Sequence, residues 1–138
     1  IRQNLPQAMQ GLAVIPLFAG FDLRLGVGRL FQFDVTGGRY EEAIFAATGS
    51  GSVHATTVIK MAYEEQLGES AAIDLVANAI FEAADEDSAT GGPDLIRDVY
   101  PIIAKITSDG YEAIPNEDVS SAFNSIIDDR RSKVSRGE

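Results

Sequence analysis

The chain holds 138 residues, the size of one domain, and its 45% apolar and 23% charged residues place it among globular sequences. Eleven Lys and Arg against 21 Asp and Glu give a net charge of −10, which disfavours DNA, RNA or another polyanion as a partner. With no cysteine and a single histidine, His54, the sequence excludes disulfides, thiolate zinc sites, a cysteine nucleophile and every site that needs two histidines.

In chain order, residues 1–10 read as the end of a helix, with Ile1, Leu5, Ala8 and Met9 on one face and Pro6 interrupting its regularity. Gly11 can take the left-handed stop conformation. There is no initiator methionine and no secretory signal, and the sequence reads as starting in mid-protein. The run 12–20 is apolar on both sides, as in a strand buried between two layers. Broken by Pro16, it is too short to span a bilayer, so a soluble chain without membrane partners is expected. Phe31, Phe33 and Val35 alternate with Gln32 and Asp34, giving a strand with one wetter face. Gly37 and Gly38 turn the chain, and 42–47 returns as a third strand of an antiparallel meander.

The apolar period then changes from two to 3.6. Ala55, Val58, Ile59, Ala62 and Tyr63 predict a helix that Gly68 ends, and Ser70 can cap a second. The buried stripe of that second helix is Ile73, Val76, Ala77, Ile80, Phe81 and Ala84, and the short link makes the two helices neighbours. Residues 87–94 form a loop around Gly91, Gly92 and Pro93. Residues 100–107 read as a strand, with Asp109-Gly110 as a hairpin turn into 111–114. The last helix starts near Asn116 and buries Val119, Ala122, Phe123, Ile126 and Ile127, with 133–138 expected to fray. Strands and helices come in blocks, so the fold class is α+β with antiparallel sheets, in one domain over 1–138 without repeat or linker.

Each isolated motif is weak. A pair of His54 with Ser50 or Ser52 is formally possible, but the helical position of His54 is enough to explain it as a surface or interface residue. The acidic stretch from Asp85 fails as a calcium loop, because Ala89, Thr90 and Ile96 stand where ligand, glycine and glutamate are needed. Gly49-Ser50-Gly51-Ser52 could offer backbone N–H groups to an anion, yet His54 breaks the dinucleotide fingerprint and a helix-capping turn suffices.

In combination the two loops become specific. Thr48-Gly49-Ser50-Gly51-Ser52 after a strand, then a helix pair, then Asp87-Ser88-Ala89-Thr90-Gly91-Gly92-Pro93-Asp94-Leu95 resembles proteasome β subunits, closest to the actinobacterial-type core particle. The resemblance extends upstream through Ala8-Met9-Gln10-Gly11-Leu12 and Phe33-Asp34-Val35-Thr36-Gly37-Gly38, and downstream to the last helix.

The resemblance implies the N-terminal-nucleophile hydrolase fold, a four-layer αββα sandwich of antiparallel sheets. It implies a threonine endopeptidase in which an N-terminal threonine attacks the peptide carbonyl and its own amine, titrating at about pH 7.7–8, serves as base. The nucleophile, its lysine and the lysine's aspartate belong to the family's N-terminal part, and Ile1 has no hydroxyl, so these residues alone are expected to be inactive. By resemblance, Ser50, Asp87 and Thr90 form the supporting shell of that site, and Asp34 helps line a neighbouring subunit's substrate groove. No cofactor and no metal are implied here. The implied partners are other β subunits in a ring, α-ring subunits and unfolded protein substrates, in the cytoplasm. Two alternatives are a non-catalytic structural ring subunit of the same superfamily and an unrelated small acidic binding module.

Overall fold

The computed structural model describes Pro6, Gln10, Gly11 and residues 14–136. The expected helix over 1–10 therefore lies almost entirely outside the described residues, although Gly11 takes φ +86°. The chain divides into two compact units, 1–49 with 106–111, and 50–105 with 112–138.

The first unit is built on a three-stranded antiparallel sheet of β1 (Leu17–Asp22), β2 (Val27–Phe33) and β3 (Arg39–Glu42), with β2 central. Leu17 pairs with Gln32 and Asp22 with Val27, while Leu30 pairs with Glu42 and Phe33 with Arg39. Asp22 closes the first turn by accepting from the Arg24 and Leu25 N–H groups at 3.0 and 3.2 Å.

Three expectations change here. The apolar run 12–20 contributes a strand only from Leu17, because Pro16 has no N–H for a ladder. Nor is that strand buried on both sides. It lies at a sheet edge, with Leu17 37% and Phe18 64% exposed. On the alternating strand, the guanidinium groups of Arg29 and Arg39 lie 5.0 and 5.2 Å from the Phe31 ring centre. Arg29 also makes a forked 2.7 Å pair with Glu41. Finally, β3 stops at Glu42, and 43–48 is irregular rather than extended. That segment is held through side chains: Gln32 donates to the Ala47 carbonyl at 3.4 Å and Thr48 to that of Ile15 at 3.3 Å.

The second unit contains α1 (Ser52–Ala62), α2 (Glu69–Glu86) and α3 (Asn116–Arg136), with α2 packed against both others. The first helix ends at Ala62, before Gly68, because Tyr63 turns extended after its N–H bonds the Ile59 carbonyl. Gly68 instead caps α2, accepting from Ala72 N–H at 2.9 Å, so Ser70 lies inside the helix rather than at its cap. The core joins Ala77 of α2 and Val119, Ala122 and Phe123 of α3 to Ile103 and Ile114, whose backbones share a 2.8 Å hydrogen bond. Tyr100 tilts against Phe123 with ring centres 6.0 Å apart. Of the expected α2 stripe only Ala77 is fully buried, and Val76 is 40% exposed. Ala79 and Ala83 are buried instead, because α2 is covered on two sides rather than one.

The second hairpin pairs β4 (Ala104–Thr107) with β5 (Gly110–Ala113). Its two-residue turn is Ser108 and Asp109, one position earlier than predicted, since Gly110 at φ +114° opens the returning strand. Residues 100–103 are not in the strand. The last helix does start at Asn116 but stays helical to Arg136 instead of fraying from 133. Ser132 and Ser135 bond back to the preceding turn, and Lys133 and Arg136 suit the negative end of the helix dipole. Arg130 ties α3 to α2, pairing with Glu82 and Asp85 and lying 4.7 Å over the Phe81 ring. Among the described residues, no helix is long and apolar enough to cross a membrane. Mixed helix and strand content with antiparallel sheets is thus as expected.

Candidate functional site

The loop before α1 and the loop after α2 meet in the second unit. Gly49 takes φ +104°, a left-handed conformation that costs glycine little, and Gly51 then caps α1. On the other loop, Asp87 ends α2 in an extended conformation, its N–H still bonded to the Ala83 carbonyl at 2.9 Å. A tight turn follows, in which Thr90 N–H bonds the Asp87 carbonyl at 3.0 Å.

Three of the four sequence-predicted residues are brought together by this arrangement. The Ser50 hydroxyl donates to Asp87 Oδ2 at 2.5 Å, and the Thr90 hydroxyl donates to the same oxygen at 2.5 Å. Ala89 N–H reaches Asp87 Oδ1 at 3.3 Å. These donors favour the ionised carboxyl, led by Ser50 and then Thr90, and hold Asp87 below the ordinary carboxylate range against the opposing effect of burial. The charge of nearby His54 contributes a smaller effect in the same direction. Ser50 is directed to the carboxylate rather than to His54, so no serine–histidine pair forms. Because its proton is committed to Asp87, the exposed Ser50 oxygen is left as an acceptor.

Asp34 belongs to the other unit and has its own set of partners. Oδ1 accepts from Thr36 N–H, Thr36 Oγ1 and Gly38 N–H at 2.9, 2.7 and 2.8 Å, and Oδ2 accepts from the Tyr40 hydroxyl at 2.9 Å. The hydroxyl of Thr36 and the N–H of Gly38 are the main causes that lower its pKa to about 2. Chemically, this is the organiser of a turn.

One contributor was not legible from residue type. Gly51 is buried, and a Cβ there would collide with Thr90 Oγ1 and come within 3.1 Å of Ala83 Cβ. Small residues at 51 and 83 are a signal only once the two loops are known to touch.

Comparison with known proteins decides the family. A family model described as "Proteasome subunit" matches residues 2–96. The chain belongs to the proteasome subunit family. A "Proteasome subunit beta" of Streptomyces griseus subsp. griseus is 51% identical over 130 residues, 94% of this chain and 46% of that relative. Proteins of the same name from Parafrankia sp. and Frankia casuarinae are 48% and 45% identical, each over 94% of this chain and 47% of their own length. This proteasome-family chain therefore spans slightly under half the length of these relatives.

Proposed function

We propose that this chain is the C-terminal portion of a β-type subunit of a proteasome core particle, a threonine endopeptidase that degrades unfolded proteins in the cytoplasm within stacked rings of α and β subunits. The relatives' names support the β assignment. The observation that carries the site is the Ser50–Asp87–Thr90 cluster, in which the exposed Ser50 oxygen gives its proton to a carboxylate and can still accept. Such an oxygen suits an ammonium or amine N–H. In the proposed reaction, an N-terminal threonine supplies both hydroxyl and amine, and the amine takes the hydroxyl proton as the oxygen attacks the peptide carbonyl. Ser50 accepts an N–H of that amine and holds it in place, Asp87 fixes the Ser50 proton, and Thr90 fixes Asp87. These residues hold groups rather than bond to substrate.

On this reading the nucleophilic threonine belongs to the part of the subunit outside these 138 residues, and peptide cleavage is the work of the complete subunit. The same reading takes 1–138 as part of one domain with the four-layer αββα architecture, and has the loop shaped by Asp34 line a neighbouring subunit's groove. It requires no cofactor.

The test is peptide hydrolysis by the full-length subunit assembled with its α partner. Ser50→Ala and Asp87→Asn should each lower kcat ~10²-fold, the lower end of what positioned acid–base groups supply, with KM little changed. Unchanged kcat in both variants would remove the cluster from catalysis, and a complete particle without any turnover would favour a structural ring subunit.

A further inference from the structure

The catalytic reading rests on hydroxyl groups aimed at Asp87, and one of them is held by a space with no side chain in it. Gly51 has φ −81° and ψ 4°, a negative-φ conformation that L-residues adopt in turns, so the backbone does not call for glycine. Packing does. A Cβ at position 51 would fall on Thr90 Oγ1, 3.3 Å from Thr90 Cβ and 3.1 Å from Ala83 Cβ. Neither neighbour can give way without consequence. Ala83 has no rotatable side chain and is buried in the last turn of α2, and Thr90 can clear the space only by turning its hydroxyl about χ1 and off Asp87. Nor can Gly51 itself retreat freely, because its carbonyl accepts from both His54 and Ala55 N–H at 3.1 Å and so starts α1.

We propose that Gly51 is a positioning residue of this site: its missing side chain lets the Thr90 hydroxyl sit on Asp87, and thereby fixes the direction of the exposed Ser50 oxygen. This inference builds on the catalytic reading above and adds a residue that contacts neither substrate nor nucleophile. A methyl group at position 51 displaces the Thr90 hydroxyl. Asp87 Oδ2 then loses one of two 2.5 Å donors, and the carboxylate is free to pull Ser50 out of line. Misplacements of this kind act on the chemical step, where about 1 Å can cost ~10²-fold.

The experiment is a double-mutant cycle in the assembled full-length particle, with Gly51→Ala, Thr90→Ala and the double variant, measured for kcat and KM on a peptide substrate and for assembly by sedimentation. Gly51→Ala should lower kcat at least ~10-fold with KM within about twofold of the parent. In the Thr90→Ala background the same change should cost less than about twofold, because the group it displaces is already gone. Thr90→Ser should recover most of the activity that Thr90→Val loses, which separates a hydroxyl role from a packing role. Equal losses in both backgrounds, or a loss expressed in KM, would overturn the assignment of Gly51. If Gly51→Ala prevents assembly, restoration of assembly by Thr90→Ala supports the steric pairing, and failure to restore it overturns it. If Thr90→Ala leaves kcat unchanged while Ser50→Ala and Asp87→Asn lower it, the catalytic reading of the cluster stands and the assignment of Gly51 is overturned.

Discussion

Asp34 and Asp87 are both carboxylates whose lone pairs are taken up by nearby donors, four for Asp34 and three for Asp87. Their donors differ in kind. Those of Asp34 come from within six residues of it, so it shapes its own turn, whereas Asp87 accepts from Ser50 across 37 residues. Both have folded-state pKa values below the ordinary one, so the stabilisation each gives is complete above that ordinary value and is lost as pH falls through the lowered one. For Asp34 the window runs from 3.8 down to about 2. In a pH titration followed by NMR, the amides of Thr36 and Gly38 should therefore move with a midpoint near 2, and a midpoint near 3.8 would mean that the turn is not organised as described. Asp34, Ser50, Asp87 and Thr90 became candidates through the resemblance to the proteasome family, since residue type alone offered only a helix-capping turn and a solvated acidic helix end. Which of them share a proton could not be read, since that depends on where each hydroxyl points.

Among the elements, α3 was the most legible. Val119, Ala122 and Phe123 fall on one 3.6-period stripe and are all buried, with acidic Glu117 and Asp118 in the first turn. Phe123 is fully buried at the centre of the helical unit's core, against Tyr100. Phe123→Ala should lower unfolding free energy by about 3–5 kcal/mol, through lost apolar transfer and the cavity left behind. Chemical denaturation checks this, and a loss below ~1 kcal/mol would place the core elsewhere. The second helix was legible as a helix but not in its buried face. Its large apolar residues drew attention to Ile73, Val76, Ile80 and Phe81, while packing on two sides buried the alanines at 79 and 83. Periodicity weighs hydrophobicity, and so it underrates alanine wherever close approach selects a small side chain. Similarly, the strand over 12–20 was recognised by its apolar content, but Pro16 and an edge position decide where it starts and what it exposes.

At the scale of the whole molecule, composition and surface point in different directions. A net charge of −10 disfavours self-association through simple repulsion. Yet β1 is an edge strand with Phe18 64% exposed, and an apolar sheet edge is a template for pairing with another chain. The 138 residues expressed alone should therefore associate, and more strongly as salt screens the charge, because apolar burial persists while repulsion fades. Sedimentation at low and high ionic strength tests this; a monomer at both would indicate that this edge is tolerated as a free surface.

What the sequence determined by itself was local: the order of helices and strands, the turn of the last hairpin to within one residue, the charge at the ends of α3, and the existence of loops before α1 and after α2. These follow from backbone preferences and apolar spacing, which act over a few residues. The tertiary structure alone decided that Ser50 and Thr90 donate to one oxygen of Asp87, that His54 does not take the Ser50 proton, and that Gly51 must lack a side chain. Those outcomes depend on how closely two helix ends approach, and the approach is set by helix packing between residues dozens of positions apart, a quantity that no short-range pattern encodes.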